Sequence, residues 1–410
     1  MRALLLINIF ILATMRAGAA EEPIHKFAFG GGHSLPGEIQ VTPANFYSEA
    51  AGYGFEPGAE VTAANGCITS TKAFYFSTKL PEGNYRVTVT FGDKSGDYTT
   101  TVKAELRRLM LEHIHTDSSQ RVTRSFVVNL RGTRIGNEGE VRLKEREKTT
   151  EWWDWDDKLT LEFNDARPCV AAIEITQVEV PTLFILGDST VCDQPTEPWN
   201  SWGQMLPRFF KPEIAVANHA ESGETIAGAL SAHRFGKVFS LMKAGDYLFV
   251  QFGHNDMKDK QPDAPQKYKA RLRQVIAQTR ACGGTPVVVT SMERKNGISH
   301  PTLAGYPAAA REIATQEKCA LIDLNTTSVV FYQALGTNLG RAFQDGTHHN
   351  NYGSYELAKC VVEGIRQSQL PLAKFIVDDF DGFDPAHPDP VETFRMPASP
   401  RHSDVKPLGN

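Results

Sequence analysis

The sequence predicts an all-β sandwich followed by a three-layer α/β/α domain on a parallel sheet. Three observations lead there. A chain of 410 residues exceeds one typical domain, and its 41% apolar content is enough for two cores. Up to Pro181 the apolar residues recur with a period of two in short runs separated by turn signals. Beyond Pro181, strand-like apolar runs alternate with helical ones, the pattern of a parallel sheet covered by helices.

The first twenty residues are set apart. Met1-Arg2 precedes an apolar stretch from Ala3 to Met15, and small residues Ala17-Gly-Ala-Ala20 follow before Glu21. This is the pattern of a secretory signal peptide over residues 1–20, so the expected location is secreted or periplasmic. The run is short for a span of about 20 residues, so no membrane association is expected, the alternative being an uncleaved N-terminal anchor.

Residues 21–180 carry the expected sandwich. Tyr85–Phe91, Ser125–Leu130, Val141–Leu143, Lys158–Phe163 and Val170–Val180 read as strands, punctuated by Pro81-Glu-Gly83 and Gly92-Asp93. Residues 181–373 carry the α/β pattern. Its strands are expected at Thr182–Leu186, Ile214–Ala217, Tyr247–Phe252, Pro286–Thr290 and Ala320–Leu324, with helices including Lys267–Gln278, Ala308–Lys318 and Tyr355–Ile365. In such a sheet, sites form where strands end. Residues 374–410 are a Pro- and Asp-rich tail that either wraps over the body or stays loose.

The formal charge of −5 and the lack of a basic run exclude a nucleic-acid partner held through phosphates. No Cys or His pair has metal-ligand spacing, so neither a metal nor another cofactor is expected. Six cysteines (Cys67, Cys169, Cys192, Cys282, Cys319 and Cys360) permit disulfides in an exported protein without choosing a pairing.

Strand ends carry the chemistry. Leu183–Leu186 runs into Gly187-Asp-Ser189, a turn that lifts a hydroxyl to the end of the sheet, and Asp345-Gly-Thr-His348 lies near the end of the same region. Together they supply a nucleophile (Ser189), a base (His348) and a residue that orients it (Asp345). Ester hydrolysis also needs oxyanion donors placed in advance. Gly223, after the second strand, allows close approach of a backbone N–H, and Asn255, after the third, offers a side-chain amide. Each motif alone would fit an ordinary turn.

Gly187-Asp-Ser189, Gly223, Gly253-His-Asn255 and Asp345–His348 match in order the blocks of the SGNH (GDSL-type) hydrolase superfamily, which the chain resembles. The resemblance implies a flavodoxin-like domain with Ser189, Asp345 and His348 catalytic, and with Ser189, Gly223 and Asn255 forming the oxyanion hole. Gly187–Val191, Asn218–Thr225, Gln251–Lys258 and Asp345–Gly353 further resemble rhamnogalacturonan acetylesterases. The likeness is to bacterial members whose N-terminal sandwich is a galactose-binding-like jelly roll, and it extends to Glu105–Glu112, Trp153–Thr160 and Glu392–Pro400. It implies a secreted serine carbohydrate esterase acting on acetylated plant cell-wall polysaccharide. The alternatives are an esterase of acetyl-xylan or another acetylated glycan, a lipase or thioesterase, and a catalytically silent glycan-binding protein. Glu224-Thr225 stands where fungal relatives place Arg-Ser, so substrate contacts are expected to differ there, and Gly336–Asp345 looks short.

The substrate contacts expected are Glu224, Thr225, His254, Trp153 and Trp155. The tryptophans, with Trp152, fit either a sugar platform or packing at a domain junction. Asp154, Asp156 and Asp157 read as a solvated or capping cluster meeting Lys158, with calcium as the alternative. His254 and His349 fit supporting roles, and Asp256 fits a cap on the next helix.

Overall fold

The computed structural model describes residues 24–31, 36–93, 95–118 and 120–408. The expected signal peptide lies outside these residues. Two sheets form the N-terminal part. One holds β1 (His25–Phe29), β2 (Ile39–Val41), β4 (Thr62–Ala64), β5 (Cys67–Thr69), β7 (Gly83–Phe91), β10 (Val122–Leu130) and β12 (Cys169–Gln177). The other runs in the order β3 (Tyr53–Phe55), β6 (Phe74–Lys79), β11 (Lys158–Arg167), β8 (Tyr98–Ala104), β9 (Arg108–Thr116). Alternation explains the packing. Tyr85, Val87, Val89 and Phe91 of β7 are buried while Arg86, Thr88 and Thr90 between them are half-buried. The inner faces share one core, where Phe27 and Phe29 meet Phe76 edge-on with centroids 5.0 and 5.2 Å apart.

One expected strand is absent. Val141–Leu143 is an extended connection: the Val141 N–H reaches Thr133 O and the Arg142 N–H reaches Ala232 O. These single bonds to two unrelated partners build no ladder, and the chain then enters helix α1 (Glu145–Thr149).

After Pro181 five parallel strands follow: β13 (Thr182–Gly187), β14 (Ala215–Asn218), β15 (Tyr247–Gln251), β16 (Thr285–Val289) and β17 (Ala320–Ile322). Their order, β14-β13-β15-β16-β17, is the 2-1-3-4-5 arrangement, with the first strand beside both the second and the third. Period two assigns each face. Leu183 and Ile185 pack with α2 (Trp202–Met205), α7 (Leu324–Leu335) and α8 (Asn351–Gln367). Phe184 and Leu186 pack on the opposite face with α3 (Ile226–Ser231), α4 (Arg234–Leu241), α5 (Ala264–Ala281) and α6 (Tyr306–Gln316). Among the described residues no helix is long and apolar enough to cross a membrane.

Two long-range connections bear on the site. The tip of the β8–β9 hairpin, with Glu105 and Arg107 at φ of +55° and +66°, inserts between the parts. There Arg107 donates to Gln194 O and Trp199 O at 3.1 and 2.9 Å, and Arg108 to Asp193 at 2.5 Å. The tail wraps. Asp379 pairs with Arg208, Asp389 with Lys359, and Lys103, buried in the β part, donates to Pro397 O and Ser399 Oγ. Arg401 and Ser403 then bracket Glu197 through backbone hydrogen bonds of 2.8 Å each.

Candidate active site

The turn after β13 is built for a serine at its apex. Gly187 has no room for a side chain, since a Cβ there would lie 2.6 Å from Val191 Cγ2 and 2.8 Å from Gln251 O. The Asp188 carbonyl accepts the Val191 and Cys192 N–H groups, closing a turn around Ser189. The Asp188 carboxylate is wholly buried and accepts from the Thr190 N–H and hydroxyl at 3.0 and 2.7 Å, with His254 Nδ1 at 3.3 Å. Burial pushes its pKa up, but the His254 ring and the Thr190 donors outweigh this and hold it below the usual range. His254 therefore braces the turn that carries Ser189.

His348 Nε2 lies 2.8 Å from Ser189 Oγ, and its Nδ1 lies 2.9 Å from Asp345 Oδ2. The other oxygen, Asp345 Oδ1, accepts the Thr347 and His348 N–H groups at 2.7 Å each. Burial raises the Asp345 pKa, but the His348 contact and these two donors prevail, leaving the carboxyl well below its ordinary value. The next residue, His349, faces away from the triad. Its ring packs at a tilt against Phe343, centroids 4.1 Å apart, and meets the Tyr332 hydroxyl at 2.9 Å, and burial pushes its pKa down to about 3, so it is a neutral buttress.

Gly223 and Asn255 lie on the loops after β14 and β15, the two strands that flank β13. Gly223 has φ +71°, where a side chain would be strained. Asn255 Nδ2 donates to Glu224 O at 3.0 Å, tying the two loops together, and Lys258 Nζ holds Asn255 Oδ1 at 3.0 Å. An amide carries two N–H bonds, so one remains for another acceptor. Asp256 caps α3 through the Ile226 N–H at 3.1 Å, rather than the helix that follows it in sequence.

The expected substrate contacts separate. Glu224 turns inward to Lys144 and Arg234 at 3.3 and 3.4 Å, and Thr225 caps α3 through the Gly228 N–H. Trp153 lies beneath the Arg401 guanidinium and edge-on to Tyr75, and Trp155 lies beneath Arg131 and edge-on to His219. The aspartate run is not one solvated cluster. Asp154 is buried between Arg108 and Arg131, each at 2.7 Å, whereas Asp156 caps the Lys158 N–H and Asp157 pairs with Lys79. With two guanidiniums on Asp154, no group of carboxylates, His or Cys able to hold a metal ion occurs among the described residues.

Sequence reasoning missed two neighbours of the triad. Gln194 Nε2 donates to Ser189 O at 2.7 Å, and the Trp199 indole stands edge-on to the His348 ring at 5.9 Å and 89°. Neither sits in a motif.

A family model describing the GDSL-like Lipase/Acylhydrolase family matches residues 185–354, the span that runs from Ser189 to His348. Rhamnogalacturonan acetylesterase RhgT of Bacillus subtilis (strain 168) is 32% identical over 217 residues, covering 48% of this chain and 94% of that protein. The chain belongs to the GDSL-like lipase/acylhydrolase family. Two more proteins of the same organism are similar to it. The probable rhamnogalacturonan acetylesterase YesY is 30% identical over 48% of this chain and 98% of its own length. The uncharacterized esterase YxiM is 27% identical over 380 residues, 86% of this chain and 93% of its own length. That last alignment is too long for the α/β part alone, so this family member shares its N-terminal β part with YxiM.

Proposed function

We propose that this protein is a serine carbohydrate esterase that removes O-acetyl groups from rhamnogalacturonan. The observation that carries the reading is the Ser189–His348–Asp345 chain of contacts, at 2.8 and 2.9 Å, in a relative of rhamnogalacturonan acetylesterases. His348 takes the Ser189 proton as Oγ attacks the acetyl carbon. The oxyanion is held by the Ser189 and Gly223 N–H groups and the remaining Asn255 N–H. Collapse expels the sugar alkoxide, which takes the proton from His348. Water, deprotonated by His348, then releases acetate from the acetyl-enzyme and restores Ser189.

In this reading residues 1–20 are a signal peptide, and the enzyme works outside the cytoplasm, secreted or periplasmic, without a cofactor. Residues 21–180 are a galactose-binding-like jelly-roll accessory domain, 181–373 the catalytic domain and 374–410 the tail.

The test is acetate release from acetylated rhamnogalacturonan and from acetyl-xylan, by wild type and Ser189→Ala. Release from the pectic substrate that vanishes in the variant supports the reading. Release mainly from xylan keeps the Ser189 chemistry and removes the substrate assignment. No serine-dependent release from either leaves the glycan-binding alternative.

A further inference from the structure

Beside the triad lies a pocket of about 410 Å³ that the catalytic steps do not use. Its volume falls in the range of small-molecule sites, about 300–1,000 Å³. Three separate parts of the chain build it: Thr149 and Thr150 from the end of α1, Gln194 and Trp199 from the segment after the nucleophile, and Val405 and Leu408 from the tail. Two of its lining residues touch the triad: Gln194 donates to Ser189 O, and Trp199 stands edge-on against His348. The tail wall is fixed in place. The Glu197 N–H donates to Arg401 O, the Ser403 N–H to Glu197 O, and Trp199 Nε1 to Ser403 O at 2.9 Å, while Arg401 donates to Thr150 O at 2.7 Å. Yet Val405 and Leu408, held by this strap, are 78% and 52% exposed. Both side chains are thus free to meet a ligand at the rim of the pocket.

We infer that this pocket is a subsite for the sugar residue next to the acetylated one, and that the C-terminal strap is its specificity-determining wall. The inference rests on the proposed esterase function. A pyranose offers an apolar C–H face and a ring of hydroxyls. Val405 and Leu408 supply most of the apolar surface, edged by the largely buried Trp199 indole, and the Thr149 and Thr150 hydroxyl oxygens, whose protons go to Glu145 O and Arg146 O, can accept from sugar hydroxyls. A glycan threaded there presents its ester to Ser189, whereas a small aryl ester needs none of these contacts. The strap therefore acts on binding of the chain and not on the acyl-transfer steps.

The test compares the full-length wild type with the double variant Val405→Asp/Leu408→Asp on acetylated rhamnogalacturonan oligosaccharides and on 4-nitrophenyl acetate. Both positions are exposed, so the fold is expected to survive, and a thermal melt checks this; truncation after Asp404 is the second variant. The expected result is a rise in KM for the oligosaccharide of about tenfold or more at nearly constant kcat, with the aryl ester unchanged within about twofold, the signature of lost uniform binding. Equal loss on both substrates, or no change on either, overturns the subsite. Wild type alone reports on the underlying reading: aryl-ester turnover without any glycan turnover removes the glycan function and the subsite with it.

Discussion

Arg108, at the tip of a β-hairpin in the N-terminal part, donates through Nε to the Asp193 carboxylate at 2.5 Å, and Asp193 follows Ser189 by one turn of chain. The same guanidinium reaches Asp154 at 2.7 Å, and all three side chains are buried. Asp193 also accepts from Asn218 Nδ2 at 2.9 Å, so the hairpin, the nucleophile loop and the end of β14 share one carboxylate. The β part is thus a structural component of the end of the sheet that carries Ser189.

Arg108→Met is therefore expected to destabilise the protein by about 3–5 kcal/mol, the usual penalty for stranding a buried partner of an ion pair. Burial already pushes the Asp193 carboxyl up to about 6 despite the neighbouring guanidiniums, so little is left to hold its charge once Arg108 is gone. Arg108→Lys should rescue only part of the loss, because one ammonium cannot bridge both carboxylates as the planar fork does. Chemical denaturation of the three proteins measures this. A loss below about 1 kcal/mol for the Met variant would show the network to be energetically idle.

Asp345→Asn is expected to fold normally and to lose kcat by a factor on the order of 10⁴. The Asn oxygen can still accept the Thr347 and His348 N–H groups, so the loop keeps its shape. Its NH₂ then faces His348 Nδ1, which must become the acceptor. The ring proton moves to Nε2, where it points at Ser189 Oγ and blocks proton abstraction. Steady-state acetate release with a matched thermal melt separates this from unfolding; a loss of less than about tenfold would mean that Asp345 does not set the tautomer.

Cys67 and Cys169 are both buried, and their Sγ atoms lie 2.7 Å apart across the β5–β12 pairing. Under oxidising conditions this pair is expected to close into a disulfide, two thiols giving two electrons and two protons to a small-molecule disulfide oxidant. The residues are 102 positions apart. Closing a loop of that size is worth about 4–5 kcal/mol in the chain-entropy account. Peptide mapping without reduction should recover the linked fragments, and dithiothreitol should lower the Tm of wild type but not of Cys67→Ser. Free thiols at both positions after full oxidation would end the idea.

The residues that sequence reasoning singled out are those whose signal is local. Gly187-Asp-Ser189, Gly223 and Asn255 follow β13, β14 and β15, which neighbour one another in the sheet, and Asp345–His348 lies in the short loop before α8. Residues whose role depends on distant partners stayed hidden. Arg107 finds Trp199 at a separation of 92 residues, and Lys103 finds Pro397 at 294. Asp154 looked solvated because it sits among other aspartates, and only Arg108 and Arg131, drawn in by the sheets, make it a buried anion. Val141–Leu143 failed for the opposite reason. Three alternating residues are too few to distinguish a ladder from two single hydrogen bonds.

The tail should loosen as pH rises, through His113. Its Nδ1 lies 2.8 Å from Asp165 Oδ2 and its Nε2 2.7 Å from Arg395 O, so both contacts are made only by the doubly protonated ring. The hydrogen bond to Asp165 is the main cause that lifts the His113 pKa to about 8, opposed by burial and helped by the Arg395 carbonyl and Glu112. A folded pKa above the unfolded value of about 6.5 stabilises the protein fully below that pH, and the contribution disappears as pH rises through about 8. The side chain is 37% exposed, so solvent screening keeps the effect well below what the shift alone implies. His113→Gln can keep at most one of the two contacts and does not titrate. The stability difference between wild type and this variant should therefore be largest near about pH 6 and fade by about pH 9, with amide exchange around Arg395 rising over the same interval. A difference that is flat with pH would show that the ring holds the tail in its neutral form.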